Sequence, residues 1–299
     1  FFNRKKSPKR TEKFVPVCSE DFVARLLMKL NSLETPIPFT WEIGGVNNSR
    51  KEANNATQYH MVKIYPEFEG CEIPGLGRFT IMFFNAADGS TRFVTASGFN
   101  VNACANGCVW REIASYATKH IYIDATEVIE KATDDIVTFL KDLQQEDNED
   151  RKRIAEMTQV HLSPAEQVAF ARRALEIKLA ENQNNFIPSP TEDNPEAKKI
   201  ELLKFDDEQL LTPLHNEHKS PTLWNIFQTV QENLRGNLDP EKKRQLPKVH
   251  YSLKRVCKET GNIVEEKGHL RSASKRVDKH KDLNIALTNH ALDTLEVKK

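Results

Sequence analysis

Hydrophobic positions first recur with a helical period after Ser19, where Phe22, Leu26, Leu27 and Leu30 share one face. Ser19 reads as the N-cap, with Glu20 and Asp21 in the first turn. Asn31-Ser32 and the pair Pro36/Pro38 end this helix. From Phe39 the period drops to two. Phe39-Thr40-Trp41-Glu42-Ile43 predicts a strand closing at Gly44-Gly45, and Met61, Val62, Ile64 and Tyr65 predict a second. The densest apolar and β-branched run lies between Phe79 and Trp110 and predicts short strands at 79–85, 91–96 and 99–104. Ala87-Asp88-Gly89-Ser90 and Ala96-Ser97-Gly98 read as its turns, because glycine and its small polar neighbours tolerate positive φ. Asn47 to Gln58 is a polar, Asn-rich loop, and Gly70, Pro74, Gly75 and Gly77 make an irregular connection. Ile113 to Ile123 fits a helix or a strand equally.

Beyond residue 123 the helical period dominates. Asp124 or Thr126 caps a helix that carries Ile129, Ile136 and Phe139 on one side. Gln144 to Arg153 reads as a solvated charged run. Ser163-Pro164-Ala165-Glu166 combines an N-cap, a proline at the first helical position and a glutamate at the third, and Val168, Ala171, Leu175 and Leu179 follow on one face. Asn182 to Pro195 breaks the chain. Ser220-Pro221-Thr222 opens the clearest helix, with Trp224, Phe227, Val230 and Leu234 as its stripe and Gly236 just past its end. Residues 238–282 are basic and weakly patterned, and Asp282 to Val297 closes with an amphipathic helix through Leu283, Leu287, Ala291 and Leu295.

This order predicts an α+β fold. An antiparallel sheet over about 39–123 is flanked by helices at 20–30, 126–143, 163–182 and 221–235, with a flexible basic N-terminal arm and a basic C-terminal segment. The organisation expected is a basic arm at 1–17, an α+β core domain at 18–182, a linker or long surface loop at 183–219, and a helical, basic part at 220–299 packing on the core.

Composition changes the picture mainly through charge. The 299 residues are 38% hydrophobic and 29% charged, with 43 Lys/Arg against 43 Asp/Glu. The zero net charge hides a segregation: residues 1–13 carry six basic and one acidic residue, residues 124–217 carry 11 basic and 22 acidic, and residues 241–282 carry 13 basic and six acidic. Arg4, Lys5 and Lys6 lie in the basic arm. Arg271, Lys275, Arg276 and Lys279 would form a positive stripe if their segment is helical, with Lys281 beyond it and Ser272 and Ser274 beside it. Such stripes bind nucleic-acid backbones without sequence preference, although a solvated surface gives the same pattern. Five scattered cysteines, an odd number, favour free thiols in a reducing compartment. No run of about 18 apolar residues predicts a transmembrane helix. The opening FFNRKKSPKR lacks the apolar stretch of a secretory signal.

Chemistry is sparse. Cys104 and Cys108 are spaced C-x₃-C, wider than the usual structural zinc pair, and only Cys71 and His120 offer further ligands. Buried structural thiols are the expectation, with no metal and no cofactor. A nucleophilic cysteine would need a base from His60, His120 or His161, none of which the sequence places beside it. Asn106-Gly107 and Asp88-Gly89 read as turns rather than as a phosphate cradle, since no Gly-x₄-Gly-Lys-Ser/Thr pattern is present. On the clearest helix, Asn225 and Glu232 lie two turns apart on one face and would point into a cleft together.

Asn85-Ala86-Ala87-Asp88-Gly89-Ser90, followed by an alternating strand and Cys104-Ala105-Asn106-Gly107, resembles the signature of a family of phage- and plasmid-encoded proteins, domain of unknown function 932. Thr222-Leu223-Trp224-Asn225, with Glu232 further on, is similar to that family's second signature, an aromatic/Asn helix. The chain departs from the pattern at Ala86 and Ala105, where the family carries Ser and Thr, so chemistry that needs those hydroxyls is in doubt. The resemblance implies a mobile-element origin and an α+β domain, and no agreed activity. The leading expectation is a non-catalytic nucleic-acid-associated protein, in one version an annealing-like binder of single-stranded DNA. The alternatives are a structural or packaged virion protein, and an enzyme using Cys104 or the Asn225/Glu232 helix. Expected partners are nucleic acid, other copies or other phage proteins, and no membrane. The expected location is a bacterial cytoplasm or a phage particle.

Overall fold

The computed structural model describes residues 15–44, 59–86, 92–101, 109–119, 123–145, 148–181, 201–213, 218–235, 238–239, 244–245, 248–256, 260, 262–270 and 281–299. It is an α+β protein whose sheets are antiparallel, and its elements fall into two compact units.

The first unit is built from α1 (Ser19–Asn31), β1 (Phe39–Gly44), β2 (Tyr59–Pro66), β3 (Glu72–Ile73), β4 (Gly77–Ala86), β5 (Phe93–Val101), β6 (Val109–Thr118) and α2 (Ala125–Leu143). Its sheet runs β1-β2-β4-β5-β6, with β3 paired to β4. Phe79, Ile81, Phe83 and Asn85 alternate onto the face that meets the helices. Phe22 of α1 packs on Phe83 at 4.8 Å and on Phe93 at 5.3 Å between ring centroids, and Phe139 of α2 lies 6.3 Å from Phe79. Thr80, Met82 and Phe84 on the opposite face are buried as well, which explains why this strand reads as an unbroken apolar run. Across the top of the helices, Arg25 Nε donates to Glu130 Oε2 at 2.6 Å and Lys29 Nζ donates to Asp134 Oδ1 at 2.5 Å.

Three local expectations are corrected here, and one left open is resolved. Ala96-Ser97-Gly98 is not a turn: β5 is continuous, and Gly98 pairs with Thr80 of β4 while the register against β6 slips between Ser97 and Phe99. A glycine inside a strand marks such a bulge as readily as a turn. The ambiguous 113–123 stretch is the continuation of β6 as far as Thr118. Pro74-Gly75 forms a tight turn between β3 and β4, closed by Leu76 N–H donating to the Ile73 carbonyl at 3.0 Å, with Gly75 at φ +77° as a type II turn requires. Ser19 is the first residue of α1 rather than its cap, since its hydroxyl accepts from Asn85 Nδ2 at 2.8 Å. The other turn expected in this sheet, at 87–90, lies outside the described residues.

The second unit contains α3 (Glu149–Met157), α4 (Pro164–Glu181), β7 (Glu201–Phe205), α5 (Asp207–Leu211), α6 (Leu223–Arg235), β8 (Leu238–Asp239), β9 (Arg244–Gln245), β10 (His250–Val256), β11 (Ile263–His269) and α7 (Lys281–Lys298). The charged run before Arg153 is therefore partly helical, anchored by the buried Ile154 and Met157. The weakly patterned basic stretch contains a hairpin, β10–β11, which joins β7 in a second sheet ordered β11-β10-β7. Helix α4 starts as its sequence dictates: Ser163 N–H and Oγ both donate to Glu166 Oε2 at 2.8 Å. Helix α6 is the centre of the unit, packed against α3, α4, α5 and α7. Among the described residues, no helix is long and apolar enough to cross a membrane.

Candidate functional site

Two features of the second unit carry the chemistry. The first is the outer face of the β11-β10-β7 sheet. On the inner face, Leu253 and Leu202 are buried, and the Arg172 guanidinium of α4 donates to the Leu202 carbonyl at 2.6 Å and lies 5.5 Å over the Phe205 ring. Strand alternation places His250, Ser252 and Lys254 on the other face together with Lys267 and His269 of β11, and the register shift in β7 between the Ser252 and Leu253 pairs brings Lys204 onto that face as well. Ser252 pairs with Lys204 on one side and Lys267 on the other, which makes a cross-strand row of Lys, Ser, Lys. All three lysines and both histidines are exposed. Among the described residues, Lys204 and Lys267 have no ion-pair partner, whereas Glu265 stands opposite Lys254. The two imidazoles meet at 5.8 Å between centroids, and His250 N–H is held by Asp206 Oδ2 at 2.8 Å.

The second feature is the polar side of α6. At 3.6 residues per turn, Leu223, Ile226, Phe227, Val230 and Leu234 fill one arc of the helix, and Asn225, Gln228, Thr229, Gln231 and Glu232 fill most of the other. Sequence logic puts such a polar arc in solvent. The fold buries it: Gln228, Thr229, Gln231 and Glu232 are each 2% exposed or less, and Asn225 alone is half-buried. Gln231 Nε2 donates to Asn284 Oδ1 of α7 at 3.2 Å. Neither atom of the Gln228 carboxamide, nor Thr229 Oγ1, Gln231 Oε1 or Asn284 Nδ2, finds a hydrogen-bond partner among the described residues. A buried polar group left so costs about 1–3 kcal/mol, which makes this arc the least satisfied part of the described core.

A protein-family model, domain of unknown function 932, matches residues 71–247, more than half of the chain. The chain belongs to this family. No solved structure matches it. The domain of unknown function 932 match takes in β4 and α6 but stops before β10 and β11, so the basic sheet face lies partly beyond the matched segment. Of the family-signature positions, Asn85 is buried at the end of β4, where Nδ2 donates at 2.8 Å to both the Val17 carbonyl and Ser19 Oγ. It ties the entry of α1 to the sheet. Trp224, Asn225 and Glu232 all sit on α6, with the Trp224 ring 6.2 Å from Phe227 and buried. Asn225 N–H is held by Thr222 Oγ1 at 3.3 Å.

Asp88, Gly89, Cys104, Asn106 and Gly107 lie outside the described residues, as do Arg4, Lys5, Lys6, Arg271, Lys275, Arg276 and Lys279. So do Cys108 and His120, while Cys71 is a buried free thiol. The fold thus gathers Trp224, Asn225 and Glu232 on one helix and places Asn85 in the other unit, at a structural joint. Sequence reasoning overlooked Lys204, Lys254, Lys267, Gln228, Thr229 and Asn284. One signal was available for the α6 group. A solvent-facing helical arc normally carries Lys, Arg and Glu, whereas this one is built of Asn, Gln and Thr with a single acid.

Proposed function

We propose that this protein is a non-catalytic nucleic-acid-associated protein, encoded by a phage or plasmid, that grips the phosphate backbone through the outer face of β7-β10-β11. The observation that carries this reading is the pair of exposed lysines, Lys204 and Lys267, on either side of the buried Ser252, with exposed Lys254, His250 and His269 on the same face. Lys204 and Lys267, which have no ion-pair partner among the described residues, suit phosphate oxygens in a sequence-independent way. Residues 241–282, which include this hairpin, hold 13 Lys/Arg against six acids, and that excess supports the same reading. Gel-shift titrations with single- and double-stranded DNA at about 50 mM and about 200 mM salt test it, because counterion release makes affinity fall steeply with salt. The double charge reversal Lys204→Glu/Lys267→Glu is expected to weaken binding and to flatten the salt slope by about 0.9 per lost contact. Absence of binding at the lower salt overturns the proposal.

A second reading, an assembly or packaged particle protein, is favoured by β1. It is an edge strand of the first sheet, it holds no Lys or Pro, and its Trp41 is 61% exposed. The basic ends and acidic middle of the chain offer charge complementarity between copies. Light scattering of wild type and Trp41→Ser at low and high salt distinguishes the two readings. A monomer under all conditions rules out self-assembly.

A further inference from the structure

Gln228, Thr229, Gln231 and Asn284 are buried and keep polar atoms that find no hydrogen-bond partner among the described residues. An unpaired carboxamide in a protein interior keeps one donor and one acceptor side by side in a plane. In Gln228 both are unused, although the side chain is only 2% exposed. Thr229 Oγ1, on the next position of the helix and 1% exposed, is unused as well. One turn on, Gln231 and Asn284 spend one hydrogen bond on each other and keep Gln231 Oε1 and Asn284 Nδ2 in reserve. Whichever way these two amides are turned, one acceptor and one donor remain. Trp224, four residues before Gln228 and so one turn away on the same arc, adds a flat apolar ring. A planar edge of paired donor and acceptor, further polar atoms a turn away and an aromatic wall are the elements with which proteins hold a heterocyclic base, since a carboxamide pairs with the adjacent donor and acceptor of a base edge.

We infer that the α6–α7 seam is a binding site for the hydrogen-bonding edge of a nucleobase, taken from a single strand or from a free nucleoside. This rests on the nucleic-acid reading above and deepens it. The outer sheet face of the same unit holds the backbone, and the seam holds a base drawn out of the strand. Unstacked bases in single strands are the accessible form of this ligand.

The test uses the full-length protein and the variant Gln228→Leu. Both polar atoms of Gln228 are unpaired among the described residues, so an apolar side chain of similar shape keeps the fold. Fluorescence anisotropy is recorded with labelled homopolymers of each base, with an abasic strand of equal length, and with the four nucleosides as competitors. At least one base-bearing strand is expected to bind about tenfold or more tightly than the abasic strand, the discrimination of one bidentate amide–base pair. Gln228→Leu is expected to erase that preference and leave the salt slope unchanged. Equal affinity for base-bearing and abasic strands overturns the seam and leaves the backbone reading standing, as does a base preference that survives Gln228→Leu. Nucleosides that bind in a Gln228-dependent way while no strand binds uphold the seam and overturn the backbone reading. Failure of strands and nucleosides alike overturns both.

Discussion

His290 of α7 lies flat on Phe170 of α4, with ring centroids 4.3 Å apart, and its Nε2 donates to the Phe170 carbonyl at 3.2 Å. Burial holds the imidazole below its ordinary value of 6.5, reinforced by Arg173 and opposed by the Phe170 carbonyl, Asp293 and Glu176. Between the depressed value and 6.5 the unfolded chain binds more protons than the folded one. The contact therefore contributes fully above pH 6.5 and weakens as pH falls below it. Thermal melts at about pH 7.5 and about pH 5.5 are expected to show a loss that His290→Phe reduces. Asn85 makes a different kind of prediction. Replacing it with Leu removes the donor to the Val17 carbonyl and is expected to cost about 1–3 kcal/mol in urea denaturation. Asn85→Asp sets a carboxylate against that carbonyl and is expected to cost more. A family-signature residue whose substitution lowers stability without altering the DNA binding proposed above is a joint, not a ligand.

At the scale of elements, two helix attachments depend on carboxylates. Glu130 is held down to about 2, chiefly by its hydrogen bonds from Arg25, and it links α2 to α1. Glu166 is held at about 2 by Lys298 first and by Ser163 next, and it links the start of α4 to the end of α7. Both values are depressed from 4.5, so both attachments are intact above that pH and are lost as pH falls through about 2. Acid titration followed by circular dichroism is expected to show helix loss in this window, and Glu166→Gln is expected to remove the Lys298 contribution while leaving part of the cap. The β3–β4 turn supplies a backbone test. Gly75 sits at φ +77° with open space around a would-be side chain, so Gly75→Ala costs only the strained backbone, about 1 kcal/mol by denaturant titration. A larger loss would point to a contact that the open surroundings do not show.

For the whole molecule, charge segregation and burial answer different questions. The basic residues cluster towards the two ends of the chain, and salt concentration is the variable that screens the potential they create. The strand order β1-β2-β4-β5-β6 leaves β1 and β6 at the margins of the first sheet, and the β10–β11 hairpin gives the second unit an outward basic face of its own. The α+β class and five of the helices, α1, α2, α4, α6 and α7, were legible in the sequence because their signals are local. Ser163 and Glu166 are three residues apart, Asp124 caps Thr126 and Glu127, and Phe22, Leu26 and Leu30 repeat within three turns. The second sheet was not legible. Its strands are two-sided, with Lys-rich outer positions that mask the alternation, and β7 joins β10 from 45 or more residues away.

By itself, then, the sequence determined α1, α2, α4, α6 and α7, the caps of α2 and α4, most of the strands in the first sheet, and the separation of charge. These depend on backbone dihedrals, caps and side-chain neighbours within a turn or two. Only the tertiary structure decided that Gly98 is a bulge inside β5, that residues 250–269 pair into a hairpin, and that the polar arc of α6 faces inward. The last decision is the one on which the proposed base site rests. Helical periodicity identifies two faces of α6 but is blind to what covers each, and that depends on Asn284 arriving from 53 residues further along the chain.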